Sequence, residues 1–203
     1  MADGHPDGPR RVDLDPAAYD EQWSALAASG ADVHGEATLV EVLLDRPAAR
    51  VLDAGCGTGR VAIRLAERGH TVVGVDVDPA LLARAASKAP DVTWLQADLA
   101  GLDADVAAGP FDAVVMAGNV VIFLAPGTGA TVVANLAARL APGGVLVSGF
   151  QLRPGATTLA DYERWTADAG LAPIARYATW DRVPFAAGDY VVAVDRQSTS
   201  SKR

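Results

Sequence analysis

The chain has 203 residues, of which 50% are hydrophobic and 21% charged, and its formal net charge is −8. This composition supplies enough apolar side chains for the core of one domain and excludes a chain that is disordered throughout. The acidic balance argues against nucleic acid and anionic membranes as partners. The single cysteine, Cys56, excludes an internal disulfide and a cysteine-rich zinc site, and we expect no metal.

Both ends of the chain are polar, and we predict flexible tails at 1–15 and 198–203. No apolar stretch typical of a secretory signal precedes the first predicted helix. The longest apolar run, at 113–125, is interrupted by Gly118 and Asn119 and is too short to cross a bilayer. These features predict a cytoplasmic protein with a single domain at 16–197.

In chain order, two helices are predicted first, at 16–29 and 35–44. Short runs of β-branched residues then predict five strands, at 50–54, 71–75, 92–96, 113–117 and 145–150. Amphipathic stretches between them predict helices at 58–68, 79–89 and 128–140, and Asp78 and Pro79 are typical of the cap and first turn of the second. This alternation predicts a parallel sheet with helices on both faces.

The last fifty residues have a different pattern. A helix is predicted at 159–169, followed by strand-like runs at 173–179 and 190–195. Pro184 and Gly188 between the two runs favour a hairpin. The sheet is therefore expected to end with an antiparallel strand.

The strongest motif is a glycine-rich turn between the first strand and the next helix. It contains Gly55, Gly57 and Gly59, and Asp53 precedes it by two residues. Glycine is needed where the backbone turns sharply and approaches a ligand closely. The Gly-x-Gly-x-x-Gly loop of nicotinamide-dependent enzymes would need a glycine where this chain has Arg60. The alternative to a cofactor loop is a tight turn without a ligand.

With these residues the sequence resembles the class I methyltransferases that use S-adenosylmethionine. The resemblance extends through 51–150, where a Pro-Gly-Gly turn precedes the fifth strand. It implies a Rossmann-like α/β fold with seven strands in the order 3-2-1-4-5-7-6, strand 7 being antiparallel. It also implies a helical lid at 16–46, a cofactor-binding core at 50–150 and a C-terminal helix and hairpin at 151–197. S-adenosylmethionine would be the cofactor and S-adenosylhomocysteine its product.

The resemblance assigns roles to three acids. Asp53 is expected to interact with the methionine amino group, Asp76 with both ribose hydroxyls, and Asp98 with the region of the adenine amino group. The alternatives are a turn role for Asp76 and an exposed loop position for Asp98. The full set of expected cofactor-binding residues is Tyr19, Asp53, Gly55, Cys56, Gly57, Gly59, Asp76, Val77, Asp98, Leu99, Ala117, Gly118 and Asn119.

The acceptor side is less defined. The loop after the fourth strand lacks the Asn-Pro-Pro-Tyr or Asp-Pro-Pro-Tyr motif of amino-directed relatives, which disfavours nitrogen of adenine, cytosine or glutamine as acceptor. Asn119 is either a ligand contact or a buried turn residue. His34 is the candidate general base, with a helix-start role as the alternative. Glu36 could hold the substrate, orient His34 or simply favour the first turn of a helix. The other substrate-side candidates, each of which is equally compatible with a solvated rim, are Gln151, Arg153, Trp180 and Arg182.

Taken together, the residues and the resemblance predict a methyltransferase that acts on a small-molecule acceptor by direct displacement. Two alternatives remain at this point. One is a non-catalytic module that binds S-adenosylmethionine, and the other is a nicotinamide-dependent oxidoreductase on a similar sheet.

Overall fold

The computed structural model describes residues 15–44, 46–103 and 105–198. Seven strands form one sheet in the order β3-β2-β1-β4-β5-β7-β6. Strands β1 to β5 are parallel, and β7 runs antiparallel to both of its neighbours. The strands are β1 Arg50–Ala54, β2 Thr71–Asp76, β3 Thr93–Gln96, β4 Phe111–Met116, β5 Leu140–Gln151, β6 Leu171–Tyr177 and β7 Tyr190–Gln197. The predicted strand order and the antiparallel last strand are confirmed.

Seven α-helices accompany these strands in the described part of the chain. They are α1 Pro16–Ala28, α2 Gly35–Leu43, α3 Arg60–Glu67, α4 Pro79–Lys88, α5 Val120–Phe123, α6 Gly129–Ala137 and α7 Leu159–Asp168. The predicted cap of α4 is confirmed, because the Asp78 carboxylate accepts the N–H of Ala80 at 2.7 Å and Pro79 begins the helix.

Helices cover both faces of the sheet, as predicted. On one face, Val51 and Val115 pack with Leu39 of α2 and Leu65 of α3. On the other face, strand residues pack against α6 and α7, and the cluster includes the fully buried Tyr162. Burial of both faces explains why the central strands are almost continuously apolar.

Most boundaries differ from the prediction by one or two residues, and the largest shift is at the start of β5. The helix predicted at 128–140 ends at Ala137, and Leu140 already pairs with Phe111 at the start of the longer strand β5. Strand β4 begins at Phe111 rather than at 113, and the carboxylate of Asp112, the second residue of the strand, accepts the N–H of Arg50 at 2.8 Å.

Apart from Asp15 and Ser198, the predicted tails at 1–15 and 198–203 lie outside the described residues. None of the helices in the described ranges has the length and apolar character needed to cross a membrane.

Candidate active site

A cavity of about 450 Å³ lies at the carboxyl ends of β1, β2 and β4, beneath helix α1. This is the edge at which open parallel sheets bind their ligands, and the volume is within the range of small-molecule sites. The lining residues are Tyr19, Gln22, Trp23, Asp53, Gly55, Cys56, Gly57, Arg60, Val61, Asp76, Val77, Asp78, Leu81, Ala97, Asp98, Leu99, Ala117, Gly118, Asn119, Val120, Phe123 and Leu124.

Two glycines in the cavity wall leave space where side chains would otherwise project. Gly57 (φ 55°) and Gly118 (φ 66°) both have left-handed backbones, and a Cβ added to either would have no atom within 4 Å. At these positions the bare backbone leaves room for a ligand to approach closely. Both residues line the cavity as predicted.

Gly59 serves a different purpose from Gly57. It does not contribute to the cavity wall, and a Cβ there would lie 2.5 Å from Cη2 of Trp94 in β3. Its left-handed backbone (φ 83°) also forms the N-cap position of α3. Gly59 therefore permits helix α3 to pack against the sheet, and the structure gives it a packing role where the resemblance implied cofactor contact.

Asp53 lies at the end of β1 and is almost completely buried, although it borders the cavity. Its carboxylate accepts the N–H of Ala62 at 3.0 Å. Burial raises the pKa of Asp53 to about 7, against the opposing effects of the Ala62 hydrogen bond and the Arg60 charge. A cationic group in the cavity would favour the ionised carboxylate, which is the situation expected beside an ammonium group.

Asp76 ends β2 and joins two loops. Its Oδ2 accepts the N–H of Gly57 at 2.8 Å, and its Oδ1 accepts the N–H of Asp78 at 2.9 Å. A carboxylate has about four lone-pair positions, so each oxygen keeps capacity for a hydroxyl. Burial raises the pKa of Asp76, although these N–H groups act to lower it. The turn role and a ligand role are therefore compatible.

Asp98 begins the short 3-10 helix Leu99–Gly101 and accepts the N–H of Ala100 at 2.9 Å. Asp98, Leu99 and Val77 all line the cavity. Apolar side chains beside a carboxylate form a suitable wall for a flat heterocycle whose amino group needs an acceptor.

Helix α1 forms the roof of the cavity through Tyr19 and Trp23, whose rings meet edge to face at a centroid distance of 6.1 Å. The helix has no buried residue and is anchored by Asp20 instead. The Asp20 carboxylate accepts hydrogen bonds from Thr58 Oγ1 (2.7 Å), Arg84 Nε (2.7 Å) and Lys88 Nζ (2.9 Å). Burial acts to raise the pKa of Asp20, but these donors lower it below its ordinary value. The roof is thus held mainly by polar contacts.

Arg60 connects the roof with the glycine loop. Its guanidinium carbon lies 3.8 Å from the centroid of the Trp23 ring, and its nitrogens form a bidentate pair with the largely buried Glu36 carboxylate, one bond measuring 2.9 Å. Burial acts to lower the pKa of Arg60, but the Glu36 contact raises it. The sequence marked Arg60 only as the residue that replaces a glycine. Its pairing with Glu36, proposed above as a substrate-side residue, was missed.

Asn119 occupies the loop after β4 with a left-handed backbone (φ 68°). Its N–H donates to the carbonyl of Gly149 at 3.2 Å, and its Oδ1 accepts the N–H of Gln151 at 2.8 Å. Ala117, Gly118 and Asn119 all line the cavity. Asn119 therefore has the turn role that the sequence offered, and it also lines the cavity, where its contact with a ligand stays a prediction.

Within the described chain, none of the substrate-side candidates lines the cavity. Trp180 packs against Gly149, and its Nε1–H donates to the hydroxyl of Tyr190 at 3.0 Å. Gln151 supports the Asn119 loop through its backbone. Arg153 and Arg182 are exposed.

His34 lines a separate depression between α1, α3 and α4 rather than the cavity. It occupies the N-cap position of α2, and its N–H donates to Asp32 Oδ1 at 2.8 Å. This placement favours the helix-start role, so we assign no base function to His34.

Several lining residues were not predicted as site residues. They are Gln22, Arg60, Val61, Asp78, Leu81, Ala97, Val120, Phe123 and Leu124. Phe123 and Leu124 belong to the apolar run at 113–125, which the sequence analysis treated only as strand and loop. The short helix α5 within this run turns their side chains toward the cavity wall.

Cys56 also borders the cavity, but it is buried, and burial raises the pKa of its thiol well above the ordinary value. It lacks the thiolate character that a nucleophilic cysteine needs. Its sulfur lies next to Gly74, where a Cβ would come within 3.0 Å. We therefore regard Cys56 as a small packing residue of the loop.

The cavity fits S-adenosylmethionine. Gly57 and Gly118 leave open space where side chains would project, and Asp53, Asp76 and Asp98 are distributed over three successive strand ends. This donor set suits an ammonium group, a ribose diol and an adenine amino group in one extended ligand.

Comparison with known proteins gives the same result. The family model of a methyltransferase domain matches residues 51–144. Magnesium-protoporphyrin O-methyltransferase of Rhodobacter capsulatus is 37% identical over 47% of this chain and 45% of its own length. A methyltransferase of Mycobacterium bovis is 35% identical over 63% of this chain and 59% of its own length. The chain thus spans about half the length of these curated relatives.

A solved structure extends the match to nearly the whole chain. The TehB-like S-adenosylmethionine-dependent methyltransferase of Corynebacterium glutamicum superposes with a TM-score of 0.82 and 34% sequence identity, covering 90% of this chain and 98% of that one. With this coverage, together with the domain match at the glycine loop, the chain belongs to the class I S-adenosylmethionine-dependent methyltransferases.

Proposed function

We propose that the protein transfers a methyl group from S-adenosylmethionine to a small molecule that binds between helix α1 and the loop after β4. The observation that carries this proposal is the continuity of the cavity. One part is lined by Asp76 and Asp98, and the same cavity reaches Phe123 and Leu124 under the aromatic roof. Phe123 and Leu124 are not among the residues expected to hold the cofactor, so this part of the lining is available to an acceptor.

S-adenosylmethionine, when bound, supplies a methyl group already activated by the sulfonium sulfur. The protein then acts mainly by positioning the reactants and excluding water. Asp53 would hold the ammonium group, Asp76 the ribose, and Asp98 the adenine amino group. Tyr19 and Trp23 cover the cavity, and aromatic faces favour a neighbouring cation.

A small acceptor agrees with the charge of the chain and with the name of a relative. The net charge of −8 does not suit a nucleic-acid acceptor. The relative from Rhodobacter capsulatus is named for O-methylation of magnesium-protoporphyrin, which is itself a small molecule.

The test is incubation of the protein with methyl-labelled S-adenosylmethionine and fractionated cell extract, followed by identification of the labelled product. Asp76→Ala should lower S-adenosylmethionine affinity at least tenfold, because the proposed ribose contact is lost. The matched control is Asp91→Ala, which changes an exposed aspartate outside the cavity and should leave affinity unchanged.

Two results would contradict the proposal. Binding of S-adenosylmethionine without a labelled product from any fraction would indicate a non-catalytic cofactor-binding module. Binding of NADH without binding of S-adenosylmethionine would indicate an oxidoreductase.

A further inference from the structure

The Asp20 carboxylate of helix α1 is held by donors from two other parts of the chain. Its Oδ1 accepts hydrogen bonds from Thr58 Oγ1 at 2.7 Å and from Lys88 Nζ at 2.9 Å. Its Oδ2 accepts a third from Arg84 Nε at 2.7 Å. Thr58 lies in the glycine-rich loop, and both cations lie on α4. We call Thr58, Arg84 and Lys88 the donor site, because they converge on one anionic group.

The donor site carries more positive charge than Asp20 neutralises. Arg84 and Lys88 contribute two charges, and among the described residues Asp20 is the only acid paired with either of them. Burial acts to raise the pKa of Asp20, but the donors hold it below its ordinary value. The site therefore stabilises an anion in preference to a neutral group. This positive excess is local, because the whole chain has a net charge of −8.

A depression of about 490 Å³ beside the donor site leaves room for a ligand larger than a carboxylate. It lies between α1, α3 and α4, and Asp20, Arg84 and Lys88 are among its lining residues. Arg60 and Arg64 line it as well, and the Nε of each is buried without a hydrogen-bond partner in the described chain. Unpartnered buried donors are rare in proteins, so they favour an oxygen-rich ligand in this space.

An outside anion would meet the donor site before the other charges of the depression. Two of the four cations have carboxylate partners of their own, in the pairs Arg60–Glu36 and Arg64–Glu67. The two cations of the donor site share Asp20. An outside anion must therefore compete with Asp20 for the same donors.

Loss of Asp20 from the donor site would release helix α1. The helix has no buried residue, and within the described chain Asp20 makes its only ion pairs. Trp23 on the same helix lines both the depression and the cofactor cavity. Displacement of Asp20 therefore moves the roof of the cavity.

We propose that the donor site is a regulatory site for a phosphate group, which competes with the Asp20 carboxylate and opens the roof over the cofactor cavity. A phosphate dianion has more charge and more acceptor oxygens than a carboxylate, so it can engage all three donors. Its source is either free phosphate or a phosphate ester of a small metabolite. The anion and the cofactor then bind antagonistically, each weakening the other by the same factor. This inference goes beyond the proposed function and requires only that the cavity binds the cofactor.

The first experiment measures S-adenosylhomocysteine affinity by calorimetry at pH 8 with inorganic phosphate, with glycerol 3-phosphate, or with sodium chloride at the same ionic strength. Because Asp20 belongs to the same chain, its effective concentration is high, and phosphate should act only at about millimolar concentration. At saturation, phosphate should weaken the affinity about fivefold or more relative to chloride. A larger effect of the ester would identify a metabolite as the ligand, and equal effects of both would identify free phosphate. Equal effects of phosphate and chloride would overturn the inference.

The second experiment removes the internal competitor. In Asp20→Ala the donor site is empty, so phosphate should bind about fivefold or more tightly than to the wild type in ³¹P NMR titrations. Phosphate should also no longer affect S-adenosylhomocysteine affinity in this variant. Antagonism that persists without Asp20 would place the phosphate in the cofactor cavity itself and would overturn the inference.

The third experiment tests the donors in the Asp20→Ala background, where the anchor of α1 is already absent. Adding Arg84→Met should weaken phosphate binding about tenfold. The matched control is Arg164→Met on α7, because Arg164 forms a similar exposed pair with Asp161 at 2.8 Å. Equal phosphate affinities in the two double variants would contradict the proposed site. Failure of S-adenosylhomocysteine to bind would refute the proposed function, whereas the phosphate affinities of wild type and Asp20→Ala would still decide whether the donor site binds phosphate.

Discussion

We expect Asp53 to make cofactor binding dependent on pH. In the free protein, burial raises the pKa of this carboxyl to about 7, so it is largely protonated in mildly acidic solution. An ammonium group placed beside it requires the ionised form. Below pH 7, binding must therefore release a proton, and affinity must fall as the pH is lowered.

The size of the effect follows from the pKa. With a value of about 7, roughly nine-tenths of Asp53 is ionised at pH 8 and about 3% at pH 5.5. Affinity for S-adenosylhomocysteine should thus be about 30-fold weaker at pH 5.5 than at pH 8, which corresponds to about 2 kcal/mol. Titration calorimetry in two buffers of different ionisation enthalpy measures both the affinity and the proton released.

Methylthioadenosine is the matched ligand, because it keeps the adenine and ribose but lacks the ammonium group. Any contribution from Asp76, whose pKa is also raised, should affect both ligands, whereas the contribution of Asp53 should affect only S-adenosylhomocysteine. Asp53→Asn should remove the difference between the two pH profiles. A difference that persists in this variant, or an affinity for S-adenosylhomocysteine that changes less than threefold over this range, would refute the assigned contact.

Three other predictions concern the loop and the roof. Gly57→Ala should weaken S-adenosylhomocysteine binding at least tenfold by calorimetry. The control is Gly69→Ala, because Gly69 also has a left-handed backbone (φ 91°) but lies outside the cavity. It should lower the free energy of unfolding by about 1–2 kcal/mol and leave the affinity unchanged. Equal affinity losses in the two variants would contradict a cavity role for Gly57. Asp20→Asn weakens the anchor of α1, so S-adenosylhomocysteine should dissociate about 5- to 30-fold faster in stopped-flow measurements, and high salt should accelerate the wild type in the same direction. Arg60→Met leaves the Glu36 carboxylate buried without its partner and should lower the free energy of unfolding by about 3–5 kcal/mol in urea titrations. Adding Glu36→Gln should recover most of this loss, and failure to do so would show that the ion pair is not the cause.

The cofactor half of the molecule was predictable because its requirements are local. A glycine with a left-handed backbone, an Asp–Pro helix start and an apolar strand are each determined by neighbouring residues, and the family order of these elements specifies the sheet. Asp53, Asp76 and Asp98 lie in the cavity wall for this reason: each is within two residues of the end of a strand whose carboxyl end reaches the same edge.

Contacts between distant segments were not predictable in the same way. Gly57 and Gly59 look equivalent in the sequence, but only Gly59 faces the Trp94 ring, which arrives from β3. In the sequence, Glu36 is indistinguishable from an ordinary acid in the first turn of a helix. In the structure it forms an ion pair with Arg60 of α3. In both cases the contacting residue belongs to another helix or strand, so the spacing of residues in the sequence does not reveal the contact.

Asp76 and Asn119 show why the sequence alone does not assign one role to a residue. Asp76 uses both carboxylate oxygens for loop N–H groups and still retains lone pairs, so structural and ligand roles share the same atoms. Asn119 divides the two roles between its ends: Oδ1 holds the loop against Gln151, and Nδ2 remains for the cavity. One atom of such a side chain can therefore be structural while another is free to contact a ligand. For Asn119 the answer depends on the register of β5 beside the loop, because the backbone N–H of Gln151 at that point fixes which end of the amide is the oxygen.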